Sequence, residues 1–310
     1  MVTPVMPEQT FAGVEHWTKK GDVTLFLWQK KVPQGNPKGT VLFVHGSSMA
    51  STPTFDLHVD GRPYSSAMDW FVSQGFDTWC VDMEGYGRSD KDPSVTANIK
   101  AGGDDLIAAT DYIMALTGVK SFLVYGISSG ALRAANFAER KPERVAKLAL
   151  DAMVWTGEGS PTLEQRAKNL ARWQTGERRP IDREFVWSIF NRDHPGCADA
   201  NVVEAFAEAI VALDDSVPTG TYLDMCANLP VTNPENLTMP TLVMRGEFDG
   251  IAGIDDLLAF YKALPHPAKQ FSVMQGISHA SLQQKNYMMV YHILQSFFEQ
   301  PDPVYTGDGA

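Results

Sequence analysis

A short apolar run at residues 121–125 (SFLVY) leads into Gly126-Ile127-Ser128-Ser129-Gly130, and a helix-patterned stretch over residues 129–139 begins at once. The run reads as a strand buried on both faces. A G-x-S-x-G placed between such a strand and a helix is a tight strand-to-helix turn, in which only small neighbours of the serine avoid a clash. Gly130, Ala131, Ala134, Ala135 and Ala138 keep the following helix thin, so it can approach a sheet closely. The same order, strand and then helix, recurs along the chain. Apolar runs at residues 40–44, 76–81, 145–150 and 241–244 resemble the first, and residues 270–274 form a last candidate. Residues 23–32 alternate in part, as an edge or antiparallel strand does. Helix patterns lie at residues 65–74, 104–116, 129–139, 254–264 and 281–299. Together these predict an α/β fold, a mostly parallel sheet with helices on both faces.

The alternation stops after Asp151 and resumes near Pro240. Between them lies a helical stretch dotted with aromatics, including Trp155, Trp173 and Trp187, with helix patterns at residues 163–174 and 202–213 and no strand between. It reads as a lid inserted between two strands, beside the loops that carry the chemistry. The last ten residues, 301–310, lack periodicity and read as a loose tail.

A serine at such a turn stands clear above the sheet, with a helix N-terminus behind it, and is placed to act as a nucleophile. It then needs a base and a group that orients the base. His279 follows the last strand candidate, and Asp249 lies just past the strand at residues 241–244, so both emerge at the same carboxyl edge as Ser128. His58 and His194 sit in irregular segments without that placement. Asp151 also ends a strand and stays open as the acid, with Asp249 preferred. Acyl transfer further requires donors aimed at a developing oxyanion. The His45-Gly46 dipeptide after the strand at residues 40–44 makes the N–H of Ser47 one candidate, and the N–H of Ser129 is the second.

With these residues in order, the chain resembles the α/β-hydrolase fold with a helical lid, in its broad esterase, haloperoxidase and epoxide-hydrolase-like group. The likeness covers roughly residues 20–300 and includes the Asp82-Met83-Glu84-Gly85-Tyr86-Gly87-Arg88-Ser89-Asp90 loop. It implies a core of residues 1–151 and 237–300, with a cap of residues 152–236 inserted after the sixth strand. Dehalogenases and most epoxide hydrolases of the group carry Asp at the turn, where this chain has Ser128. Its carbon–carbon bond hydrolases tend to carry Gly-Gly after the turn and Trp after the histidine, where this chain has Gly130-Ala131 and His279-Ala280. Glu84 stands where the group usually has Arg. The expectation is a serine esterase acting through an acyl-enzyme on a small to medium apolar or aryl ester. Amidase, lactonase and carbon–carbon hydrolase chemistry are the alternatives, and a slow ligand receptor on the same fold is a further one. Ser48, His58, Trp155 and Trp187 are candidate pocket residues, although the lid aromatics equally suit lid core. Arg133, one turn into the helix after Ser128, is a candidate for holding a substrate carboxylate or for a surface ion pair.

Composition removes other classes. Hydrophobic residues at 44% and charged residues at 20% exclude disordered and fibrous chains. A net charge of −11 repels polyphosphate, which argues against nucleic acid and anionic membranes as partners. The chain has no uninterrupted apolar run of about 18 residues, the length a membrane span needs, and its start lacks a secretory pattern. Cys80, Cys197 and Cys226 are scattered, so neither a disulfide framework nor a zinc site is expected, and a cytoplasmic home is. No metal and no cofactor is implied, the expected partner is a small-molecule ester, and a homo-oligomer is left open.

Overall fold

Along the sheet, successive side chains enter different cores. The computed structural model describes residues 9–92, 94–176 and 178–305. Its main strands are β1 (Gly13–Lys20), β2 (Val23–Lys30), β3 (Thr40–Val44), β4 (Asp77–Val81), β5 (Phe122–Ile127), β6 (Val145–Asp151), β7 (Thr241–Gly246) and β8 (Lys269–Met274). In β3, Val41 and Phe43 join one apolar cluster while Leu42 and Val44 join the other. That alternation is what a strand with both faces covered requires, and each such side chain contributes roughly 1.5–3 kcal/mol by leaving water. Helices α1 (Ser51–Phe55), α2 (Ala67–Ser73), α3 (Ile99–Thr117) and α4 (Ser129–Arg140) fall between strands β3 and β6. Helix α2 covers one face, while α3 and α4 cover the other.

The strands are ordered β1-β2-β4-β3-β5-β6-β7-β8, antiparallel at β1–β2 and β2–β4 and parallel elsewhere. This is the expected α/β sheet. Residues 23–32, expected as an edge or antiparallel strand, are antiparallel and lie one strand in from the edge, because β1 pairs along the whole of β2. Strands β3 and β5 are neighbours, yet the chain leaves β3 toward β4 and leaves β5 toward β6. Their following loops separate above the carboxyl ends, which is where open α/β sheets bind ligands.

Between β6 and β7 run α5 (Pro161–Ala167), α6 (Leu170–Gln174), α7 (Arg183–Asp193), α8 (Ala200–Val211) and α9 (Gly220–Leu223). A two-residue strand pair, Arg179–Pro180 with Ser216–Val217, ties this segment together, so the expectation of no strand there is overturned. The expected helix at residues 163–174 is broken into α5 and α6. Helix α7, which the expected helices did not include, buries Val186, Ile189 and Phe190 at helical spacing, while the flanking Phe185 and Trp187 are only partly buried.

After α10 (Ile254–Ala263) and β8, the expected helix at residues 281–299 begins as a single 3₁₀ turn, Ser281–Gln283, and α11 is only Tyr287–Glu299. Arg62 explains the break, because its guanidinium takes the carbonyls of Leu282, Gln283 and Gln284 at 2.8–3.1 Å and holds them out of a helix. Residues 301–305 of the expected tail are exposed and irregular, and residues 306–310 lie outside the described residues. No helix among the described residues is long and apolar enough to cross a membrane.

Candidate active site

Ser128 occupies a backbone conformation that L-residues rarely adopt, φ 58° and ψ −128°, between the end of β5 and the start of α4. Such a conformation costs on the order of 1–3 kcal/mol and persists only where its surroundings enforce it. Here they do. A Cβ on Gly126 would stand 2.5 Å from the Gly130 carbonyl oxygen, and one on Gly130 would stand 2.2 Å from the Val44 carbonyl oxygen. The turn is therefore pressed between its own helix and the loop after β3. The Ser128 N–H donates to the Asp151 carbonyl at 2.8 Å, which ties the turn to β6.

Asp249 and His279 meet Ser128 from the loops after β7 and β8, past the intervening β6. The Nε2 of His279 lies 2.9 Å from Ser128 Oγ, and its Nδ1 lies 3.1 and 3.0 Å from the two carboxylate oxygens of Asp249. With the Nδ1–H donated to Asp249, Nε2 is free to accept the serine proton. Burial works to raise the Asp249 pKa, but the His279 charge and hydrogen bond and the N–H groups of Ile251 and Ala252 outweigh it, so the carboxyl is held below its ordinary value. The alternative acid, Asp151, is engaged elsewhere: it accepts the Tyr125 hydroxyl at 2.7 Å. Burial pushes its pKa up to about 7, against the Tyr125 bond.

The loop after β3 is fixed around a buried neutral imidazole. His45 accepts the Met83 N–H at Nε2 (3.0 Å) and meets the Gly46 carbonyl through Nδ1 (2.8 Å). Burial, with the Arg133 cation beside it, lowers its pKa to about 3. Ser47 and Ser48 follow, and both line the cavity that holds Ser128 and His279. Ser129 is the first residue of α4 and fully buried, so its N–H starts the helix directly behind Ser128.

Four candidates fall away from that cavity. Arg133 is buried, not surface-paired and not in the pocket: it donates to the carbonyls of His45 (3.2 Å) and Gly46 (3.4 Å) and braces the loop from below. Helix α4 turns this face toward the loop after β3. His58 is half-exposed beside Asp56 and Asp69, whose carboxylates the Lys30 ammonium bridges at 2.6 and 2.7 Å. That cluster of two carboxylates and an imidazole already holds its cation. Trp155 packs against Phe260 of α10, with ring centres 6.0 Å apart. Trp187 donates its indole N–H to Glu204 at 2.9 Å on the far side of α7. Glu84, where the resembled group usually carries Arg, pairs with Lys20 at 2.7 Å.

The segment between β6 and β7 contributes residues that the sequence reading did not single out. Arg166, Ile189, Arg192 and Tyr222 line the cavity together with Met49, Thr54, Ile127, Ala280 and Gln283. The same four residues also line an outer groove, so the cavity opens between them. Arg179 reaches in from the two-residue strand and donates to the Ser47 carbonyl (2.7 Å) and the Ser48 hydroxyl (2.8 Å). Only the excess of arginine in a stretch otherwise rich in aromatics hinted at this. The arrangement can deliver a serine oxygen, take its proton, and hold a small partly apolar molecule beside guanidinium groups.

The family pattern described as Serine aminopeptidase, S33, matches residues 35–286. A proline iminopeptidase of Neisseria meningitidis is 23% identical over 279 residues, covering 79% of this chain and 84% of that protein. Among solved structures, a soluble variant of the monoglyceride lipase of Saccharomyces cerevisiae aligns with TM-score 0.71 at 16% identity, covering 96% of this chain and 97% of that one. A thermophilic esterase of Thermogutta terrifontis aligns with TM-score 0.67 at 21% identity, covering 92% and 97%.

Proposed function

This chain belongs to the S33 serine aminopeptidase family and is a serine hydrolase of the α/β-hydrolase fold, and within that family we propose that it hydrolyses a carboxylic ester through an acyl-enzyme. The observation that carries the reading is the Ser128–His279–Asp249 line of hydrogen bonds at 2.9–3.1 Å. In this mechanism His279 takes the Ser128 proton as Oγ attacks the ester carbonyl, and the N–H groups of Ser47 and Ser129 hold the oxyanion. His279 returns the proton to the leaving alcohol, then activates the water that releases the acid. Asp249 keeps the imidazole in the working tautomer and stabilises its cation. Residues 152–236 serve as a cap on a core of residues 1–151 and 237–300, and Met49, Ile127 and Ile189 receive the apolar part of the substrate. No step needs a metal or cofactor.

The family's name and the iminopeptidase relatives make peptide-bond cleavage the second reading. An aminopeptidase must hold a free α-ammonium, for which the natural partner is a carboxylate. Among the described residues no Asp or Glu lines this cavity, whereas two arginines do. That polarity favours the ester.

Intact-mass measurement after a serine-directed phosphonate, beside turnover of p-nitrophenyl butyrate and proline p-nitroanilide, tests the reading. A single adduct lost in Ser128→Ala, with the ester turned over and the anilide not, is the expected result. Preference for the anilide would replace the esterase with the peptidase. No adduct, with equal slow turnover in Ser128→Ala, would remove the nucleophile.

A further inference from the structure

Above the serine three guanidinium groups gather, and only one of them, Arg192, has a carboxylate of its own among the described residues. Arg166 of α5 lines the cavity and lies over the Tyr222 ring, 4.2 Å from its centre. Arg179 lies over the same ring at 4.1 Å and is 4% exposed, and its Nε and Nη1 find no partner. Arg192, at the mouth, is held by Asp193 at 2.7 and 2.8 Å. Among the described residues no carboxylate pairs with Arg166 or Arg179; burial most of all opposes the Arg166 cation and the Arg192 and Arg179 charges repel it, with Tyr222 and Cys226 opposing them in part. A desolvated cation without an anion is unfavourable, and here two share one aromatic ring. Nor is the excess a by-product of composition, since the whole chain carries −11. Substrate entering from the outer groove must pass between Arg166 and Arg192, because both line groove and cavity.

We infer that the ester taken by this site carries a free carboxylate, as the monoester of a dicarboxylic acid does, and that Arg166 is the group that binds it. The inference rests on the esterase reading and names its substrate class. Guanidinium matches carboxylate in planar, paired hydrogen bonds, which fixes the orientation of the acid end. Arg192 adds charge at the mouth. Arg179 bonds Ser47 and Ser48 through Nη2 alone, so it links the anion site to the loop that carries the Ser47 N–H. The ester end then lies toward Ser128, with the hydrocarbon between against Ile127, Ile189 and Met49. One ester C–O bond breaks and one water is consumed; the products are the dicarboxylate, the alcohol and a proton.

The test compares monobutyl glutarate with dibutyl glutarate, with p-nitrophenyl butyrate as a neutral reference. The wild-type protein should prefer the monoester at least tenfold in kcat/KM, with a KM that rises with added NaCl as screening weakens the contact. Glutarate should compete with the reference ester more tightly than inorganic phosphate does. Arg166→Gln should collapse the monoester-to-diester ratio tenfold or more, chiefly through KM, and Arg166→Lys should restore part of it. Equal rates for monoester and diester, or an unchanged ratio in Arg166→Gln, would overturn the inference. Tighter competition by phosphate would overturn the choice of carboxylate. Should the variants fail to fold, the competition and salt measurements on the wild-type protein decide. Turnover of p-nitrophenyl butyrate without monoester preference removes this inference and leaves the esterase; no turnover of any ester and no phosphonate adduct removes both.

Discussion

The Nε2 of His279 stands 2.9 Å from Ser128 Oγ, although 151 residues separate them in the chain. Neither side chain is held by its own loop alone: β5 with its strained turn delivers the serine, and the loop after β8 delivers the histidine. Their meeting depends on the register of the sheet between them. If the two act as a unit, removing either removes the function of both. Ser128→Ala and His279→Ala should each lower kcat on the order of 10⁶-fold, and the double variant should lose little more than either single one. Losses that multiply in the double variant would show two independent roles.

Asp249 contacts only the far side of that imidazole, so its removal should act through the histidine's tautomer. Asp249→Asn should lower kcat by roughly 10⁴-fold with the fold retained, the loss expected when the wrong ring nitrogen carries the proton. Asp151→Asn, at the end of the neighbouring strand, should cost far less. Equal losses in the two variants would return Asp151 to the relay.

Asp151 has a different consequence, on stability. Burial raises its pKa to about 7 from an ordinary 3.8, so the folded protein holds a proton there that the unfolded chain has released. The stability due to this proton is complete below about pH 4, declines as pH rises, and is gone above about pH 7. Asp151→Asn removes that slope. Urea unfolding at pH 5 and pH 8 should therefore show the variant gaining on the wild-type protein at the higher pH. A difference independent of pH would mean that Asp151 is ionised throughout.

What the sequence made legible was whatever follows directly from a strand end. Ser128, Asp249, Ser47 and Ser48 each sit within a few residues of a buried apolar run, and His279 follows the half-buried last strand, so the sheet edge alone places them. Arg133 shows the limit. Its position one turn into α4 was plain, but which way a long side chain points depends on the helix's rotation against β3, and no local pattern carries that. Arg166, Arg179 and Arg192 were missed for a related reason. They come from three separate short elements whose mutual arrangement is set by packing around Tyr222 rather than by periodicity. Trp155 and Trp187 show the converse: they suited lid core as well as the pocket, because aromatic character marks burial without saying against what.

The tight turn at Ser128 depends on Gly130 lacking a side chain, with the Val44 and His45 carbonyl oxygens 2.2 and 2.5 Å from where a Cβ would sit. Both are backbone atoms of the sheet edge and the loop braced by Arg133, so neither can yield cheaply. Gly130→Ala should destabilise the fold by roughly 3 kcal/mol or more, the upper range for overpacking, and should lose phosphonate labelling at Ser128. A variant with unchanged urea midpoint and full labelling would show that α4 can move away from β3.

Tyr222 connects the arginines to pH. Burial alone would raise its phenol, but the Arg166 and Arg179 cations, the hydrogen bond with Ser48 and the Arg192 cation outweigh burial and bring its pKa down to about 8. The charged groups facing it are these three arginines and, through Arg192, Asp193. Once ionised, the phenolate supplies the negative charge that a carboxylate-bearing substrate would otherwise bring, and the two compete for the same cations. KM for a dicarboxylate monoester should therefore rise as pH passes about 8, while KM for p-nitrophenyl butyrate stays flat. Tyr222→Phe has no proton to lose and should show no such rise, although its KM below pH 8 need not match the wild-type value. Parallel KM profiles for the charged and neutral esters would detach Tyr222 from substrate charge. A rise that persists in Tyr222→Phe would assign the titration to another group.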